Sequence, residues 1–266
     1  MSTSFSGGQG PGGNRPNGDG QDPPEYTYAA MAKTAPLSPT VQSHLSRVYT
    51  WLAFATGSAS LGSYLYVAQY IQLPQLLAHL ITLVSVLAVN GTPYQPNNQQ
   101  SQLIRRGALL SAAFTQGNAI GFIVETALDV NPTIVTVALL ATFAIFACFT
   151  LSALFNRSRA GLYLGGFLGS ALSVLSLSSL AGLFWSGSQA LFSFNLYIGL
   201  LVFSLFIVYD TQKLLYQTEL GYFDDIGQAL ELFTDVFAVF TRILVIFLRQ
   251  EDSQEDRRRN RRKRND

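Results

Sequence analysis

The chain has 266 residues, of which 48% are hydrophobic and only 12% charged. Soluble domains run near 25% charged, so this is the composition of a membrane protein. The formal net charge of +1 selects no partner. One cysteine, Cys148, excludes an intramolecular disulfide, and with only two histidines besides it argues against a zinc site of His and Cys.

Residues 1–35 are Gly, Pro, Asn, Gln and Ser with hardly an aliphatic. Such a segment cannot bury enough surface to offset its ordering entropy, so a disordered, solvent-exposed tail is expected. It lacks the basic start and apolar core of a signal peptide. Helical structure is predicted from Ser38, a capping residue, with Pro39 suited to the first helical position. Val41, Leu45, Val48 and Tyr49 share a face there, which predicts a helix lying on the membrane surface before it enters. His44 is read as a solvated polar-face residue.

Seven apolar segments follow: 49–68, 73–89, 107–128, 132–155, 162–185, 190–209 and 226–248. Each has about the 17–25 residues that a helix needs to cross a bilayer. Strand-period alternation is absent, which argues against a barrel. The fold class is therefore an all-α integral membrane protein, a bundle of six to seven transmembrane helices with a central acidic last segment. Arg105 and Arg106, Arg157 and Arg159, and Lys213 lie in alternate loops. The positive-inside rule puts those loops and the amino terminus in the cytosol. A seventh crossing would put the basic tail, Arg257 to Arg264, outside. The preferred reading is six crossings plus a re-entrant last segment, with residues 36–249 as the membrane domain and 250–266 as a charged basic cytosolic tail. That tail is expected to be solvated and drawn to anionic lipid rather than to nucleic acid.

Polar residues inside the apolar runs stand out, because an ionisable side chain at membrane depth is costly and faces a cavity or a partner. Glu231, Asp235 and Arg242 fall on one stripe of the last segment, and Asp210 ends the segment before it. Two carboxyls facing each other in a low-dielectric bundle cannot both ionise cheaply, and their protons belong to the pair. One shared proton would pin the two helices together. Its loss would leave a negative oxygen site suited to weak binding of a hard cation such as calcium, which a conducting path requires. The bland alternative is an interhelix hydrogen bond without ion flow. Arg242, about 10 Å along the axis from Asp235, is assigned to Glu231, a lipid phosphate or a helix end. Gln116 and Asn118 in the third segment are read as interhelical hydrogen-bonding groups, with a pore lining as the alternative. Gly161, Gly165, Gly169 and Ser173 form a small-residue ridge, read as a packing face. No nucleophile–base constellation is visible, so no enzyme is expected.

Several motifs carry a resemblance. Leu37-Ser-Pro39 with Gln42, His44-Leu45 and Arg47-Val-Tyr49 open it. Cys148 to Phe155, Arg159, Tyr163-Leu-Gly-Gly166 and Ser170 to Ser173 continue it. Asn195 to Leu200, Tyr209-Asp-Thr-Gln212 and Leu232-Phe-Thr-Asp235 with Phe240 and Arg242 complete it. From about Pro36 to Arg249 the chain resembles the Bax inhibitor-1 family. The resemblance implies a helical bundle in the endoplasmic reticulum membrane, suppression of cell death, and a pH-sensitive calcium leak through paired aspartates matching Asp210 and Asp235, with Glu231 as a further acidic position. It implies no cofactor, calcium being the permeant ion, and a non-conducting scaffold that binds Bax/Bcl-type membrane proteins as the alternative. The arginine that latches the pair from the second span in some bacterial members has no counterpart in 73–89.

Overall fold

The structure is a computed structural model and describes residues 38–95, 97–155, 162–184 and 189–265, with side chains 183, 184 and 255–265 excepted. The amino-terminal tail, Arg157, Arg159 and Gly161 lie outside the described residues. Eight helices make up the described chain: α1 Pro39–Val67, α2 Gln75–Gly91, α3 Gln99–Ala119, α4 Gly121–Val130, α5 Thr133–Phe155, α6 Leu164–Phe184, α7 Gln189–Glu219 and α8 Asp225–Asn265. Three of them, α5, α6 and α7, are long and apolar enough to cross a membrane, and α3 with α4 makes a fourth if the bent pair is one span. α2 is apolar but shorter. The chain is thus an all-α membrane protein, whose exposed Leu, Phe, Val and Ile side chains replace the polar surface of a soluble bundle.

α1 starts where its cap predicts. The Ser38 hydroxyl accepts from the Val41 N–H at 3.3 Å, with Pro39 in the first turn. The helix shows no break at the expected point of entry. It continues unbroken to Val67, and Val41, Leu45 and Val48 pack into a core with Leu109 and Ala113 of α3 and Ile226, Ala229 and Phe233 of α8. α1 and α3 cross at backbone contact: a Cβ on Gly117 would collide with the Ala59 carbonyl, and one on Gly62 with the Phe114 carbonyl. Glycine is required at both positions for this close approach.

The chain bends by 43° between α3 and α4. Just before it, fully buried Asn118 ties α3 to α1 and the α1–α2 connection: its amide donates to the Gly62 and Ile71 carbonyls at 3.2 and 2.8 Å and its Oδ1 accepts from the Leu73 N–H at 3.0 Å. Gln75 covers the Ala119 carbonyl at the bend, at 3.2 Å. Backbone groups freed inside an apolar bundle are tolerated only where such partners exist.

α8 touches every other described helix except α6 and is the axis of the bundle. The re-entrant last segment is not formed, since α8 is one continuous helix. Its charged stripe residues find partners without breaking it, as described below. It runs antiparallel to α7, from the Lys213–Glu231 contact at one end to the Arg249–Ser193 contact at the other. Its carboxyl end therefore leaves the bundle opposite Arg105, not on the same face.

α6 touches α7 alone. The ridge expected there is only partly used: Gly165 lies against the Tyr209 ring, a Cβ there reaching it at 2.8 Å, while Gly169 and Ser173 are exposed. The packed stripe of α6 is instead Leu164, Leu168, Ala171 and Leu175. Small residues permit a close approach, but a neighbour has to supply it.

Candidate functional site

α7 ends in a tight turn. Gly221 sits at φ 86°, and the Tyr222 N–H returns to the Gln217 carbonyl at 2.9 Å. Asp224 then caps α8, its Oδ1 accepting from the Gly227 N–H at 3.0 Å. Its Oδ2 accepts from Arg105 Nη2 at 2.5 Å and from the Tyr222 hydroxyl at 3.2 Å. The Arg105 Nε–H goes to the Val89 carbonyl at 3.2 Å, and its guanidinium lies 5.7 Å from the Tyr94 ring centre. A side chain on Gly227 would fill the space this cluster uses. The Tyr222 phenol is pushed above its ordinary value, first by burial and then by the Asp224 carboxylate. The cluster fixes the start of α8 against α2 and α3.

Beside it lies His44, which is fully buried rather than solvated. Arg47 can only donate, so His44 Nδ1 accepts from it at 3.3 Å, and the His44 Nε2–H donates to Gln228 Oε1 at 2.6 Å. Gln228 passes the chain on to Gln217 at 3.0 Å.

One end of α8 being fixed, Asp235 follows three turns along it, about 16 Å from Asp224. It is 4% exposed. Across the α7–α8 interface it meets Asp210, and the two carboxyls face each other closely enough to share a hydrogen bond. Such a bond requires one carboxyl to carry a proton, because two carboxylates have nothing to donate. The other Asp235 oxygen, Oδ2, is buried with no hydrogen-bond partner. Thr211, beside Asp210, spends its hydroxyl on the Ile207 carbonyl at 2.6 Å and does not serve the pair.

Glu231 is adjacent to the pair and bonded to Lys213 at 2.6 Å. Arg242 is therefore not the partner of Glu231; it lies over the Phe203 ring, 4.4 Å from its centre. Sequence reading missed Lys213, although it stands one turn beyond Asp210 on the same face. Asn118 bonds to α1 and the α1–α2 connection and not to the aspartate pair, and Gln116, two residues before it on α3, is half-buried. Among the described residues no group of three or more His, Cys, Asp and Glu is gathered to hold a metal ion. The two aspartates with bonded Glu231 form an acidic spot too sparse for tight storage of calcium.

This arrangement sits in a chain whose residues 41–252 match the family described as Inhibitor of apoptosis-promoting Bax1. The chain belongs to the Bax inhibitor 1 family. It is 36% identical over 235 residues to Bax inhibitor 1 of Homo sapiens, covering 88% of this chain and 98% of the human protein. It is 35% identical over 231 residues to Bax inhibitor 1 of Arabidopsis thaliana, 86% of this chain and 90% of the plant protein. Bax inhibitor 1 of Oryza sativa subsp. japonica is 36% identical over 238 residues, with 89% and 93% covered. These relatives are named Bax inhibitor 1, and the family match takes in part or all of each of the eight described helices.

Proposed function

We propose that this Bax inhibitor 1 family member is a seven-crossing protein of the endoplasmic reticulum membrane that limits cell death as a pH-sensitive calcium leak. In this reading α3 and α4 together make one bent crossing, and α8 makes the seventh. The observation that supports it is the facing of the buried Asp210 and Asp235 carboxyls across the α7–α8 interface. The nearby cation, Lys213, is engaged by Glu231.

With the proton in place the carboxyls tie α7 to α8 and present no net double charge. Without it they repel across a buried interface and become a pair of hard oxygen ligands. Calcium would then meet two carboxylates and whatever water enters, a site weak enough to release it. The pair is the sensor and the first ligands of the path in one.

The test is calcium flux in liposomes that hold this protein alone. Flux should rise as the shared proton is removed near neutral pH. Asp235→Asn keeps shape but removes the titratable acid, and should lower flux and flatten its pH dependence. Asp210→Asn should do the same, and the double variant should add little, since residues acting as one unit are not additive. Unchanged pH dependence in both single variants would overturn the sensor. A parent protein that passes no calcium yet retains Bax/Bcl-type membrane proteins would favour the scaffold instead.

A further inference from the structure

At the end of the bundle away from Lys213 a cavity of about 660 Å³ opens between α6, α7 and α8. Arg242 and Arg249, two turns apart on α8, both line it. No carboxylate of a described side chain lies within 4 Å of either guanidinium; Asp224 and Glu231 are paired elsewhere, with Arg105 and Lys213. Arg242 gives one N–H to the Ala238 carbonyl at 3.0 Å, and its Nε is buried with no partner at all. Arg249 reaches only the Ser193 hydroxyl, at 3.5 Å. Each guanidinium rests on an aromatic face, Arg242 on Phe203 at 4.4 Å and Arg249 on Phe192 at 4.0 Å. The ring holds the plane of the guanidinium and leaves its N–H edge open. Gly199 gives Arg242 the room, since a Cβ there would collide with its Nε.

Three other polar residues of the cavity bond one another: the Asn195 amide donates to the Ser178 and Ser179 hydroxyls at 2.9 and 2.6 Å, and both hydroxyls donate to the Leu175 carbonyl. Thr241 bonds the Phe237 carbonyl. The cavity's two cationic N–H edges stand about 10 Å apart along the helix, close enough for two long side chains to grip one anion. An unpaired buried donor is costly, and a planar guanidinium fork matches a phosphate.

We infer that this cavity is a phosphate-binding site, in which Arg242 and Arg249 together hold the phosphate group of a lipid headgroup or of a small soluble phosphate. The site lies beside the proposed calcium path and does not depend on it.

The test is ligand-dependent thermal stabilisation of the purified full-length protein in a non-ionic detergent. The probes are inorganic phosphate, short-chain phosphatidic acid and phosphatidylcholine of the same chain length. Stabilisation by phosphatidic acid alone identifies a lipid as the source, and stabilisation by inorganic phosphate as well identifies a site for the free anion. Either supports the site when Arg242→Gln and Arg249→Gln each weaken binding about tenfold or more, the loss of a charged hydrogen bond. Arg249, nearer the helix end, provides the variant that folds if Arg242→Gln does not. A full-length variant with Gln at the six tail arginines 257, 258, 259, 261, 262 and 264 should bind as the parent does. Loss of binding in that variant with retention in both cavity variants would overturn the inference, as would the absence of any phosphate-dependent stabilisation.

Discussion

α8 carries two buried aspartates, and they live in opposite surroundings. Asp224 at its start accepts from a guanidinium, a phenol and a backbone N–H, so both of its oxygens are spoken for. Asp235, three turns on, faces another acid and leaves Oδ2 unbonded. The first is matched by a cation and two neutral donors and holds helices in register. The second is compatible with its partner only while one proton stays between them. One helix thus combines a fixed end with a middle whose contact is conditional, and a charge change in the middle has an anchored element to act on.

The largest effect should come from breaking the fixed end. Arg105→Ala leaves the Asp224 carboxylate buried and uncompensated, a loss of about 3–5 kcal/mol. Thermal unfolding in detergent would show it, and Arg105→Met with Asp224→Leu should recover only part of the loss, since an apolar pair replaces the ion pair at little cost but the α8 cap is lost. Asp235→Asn should leave the unfolding midpoint nearly unchanged or slightly raised. It removes a group that is expensive to bury and keeps a hydrogen bond to Asp210. A loss as large as that of Arg105→Ala would erase the contrast between the two aspartates.

The smallest effect belongs to Tyr222. Its phenol is held above the ordinary value by burial and by Asp224. A folded value above the unfolded one means the contribution is complete below about pH 10 and lost as pH rises past it. Tyr222→Phe should therefore flatten the alkaline limb of a stability–pH curve and leave the neutral region alone. An unchanged alkaline limb would mean that Asp224 does not feel the phenol.

Much of this bundle was legible because hydropathy acts locally. The apolar segments at 73–89, 132–155 and 190–209 fall on α2, α5 and α7, and Ser38 caps α1 as a capping residue should. What was not legible depends on neighbours distant in sequence. His44 is buried because Gln228, 184 residues away, takes its N–H. Gly117 is a contact because Ala59 lies opposite, whereas Gly169, with the same pattern around it, faces nothing. The break expected in the charged last segment occurs in the third instead, where Gln75 from α2 covers the Ala119 carbonyl. Within the candidate site, Asp210 and Asp235 could be paired from sequence because each interrupts an apolar run. Lys213 could not be assigned to Glu231 in that way, since only the antiparallel fold of α7 on α8 brings them to 2.6 Å.

The length of α8 has a further consequence for whatever meets this protein from water. Its 41 residues make a rod of about 60 Å, twice the hydrocarbon thickness of a bilayer. Beyond Arg249 the backbone climbs about 12 Å before residue 257 and about 24 Å before its last turn. A helix of that length cannot lie wholly within the apolar layer, so its backbone runs well past its last described side-chain bond to the bundle, between Arg249 and Ser193.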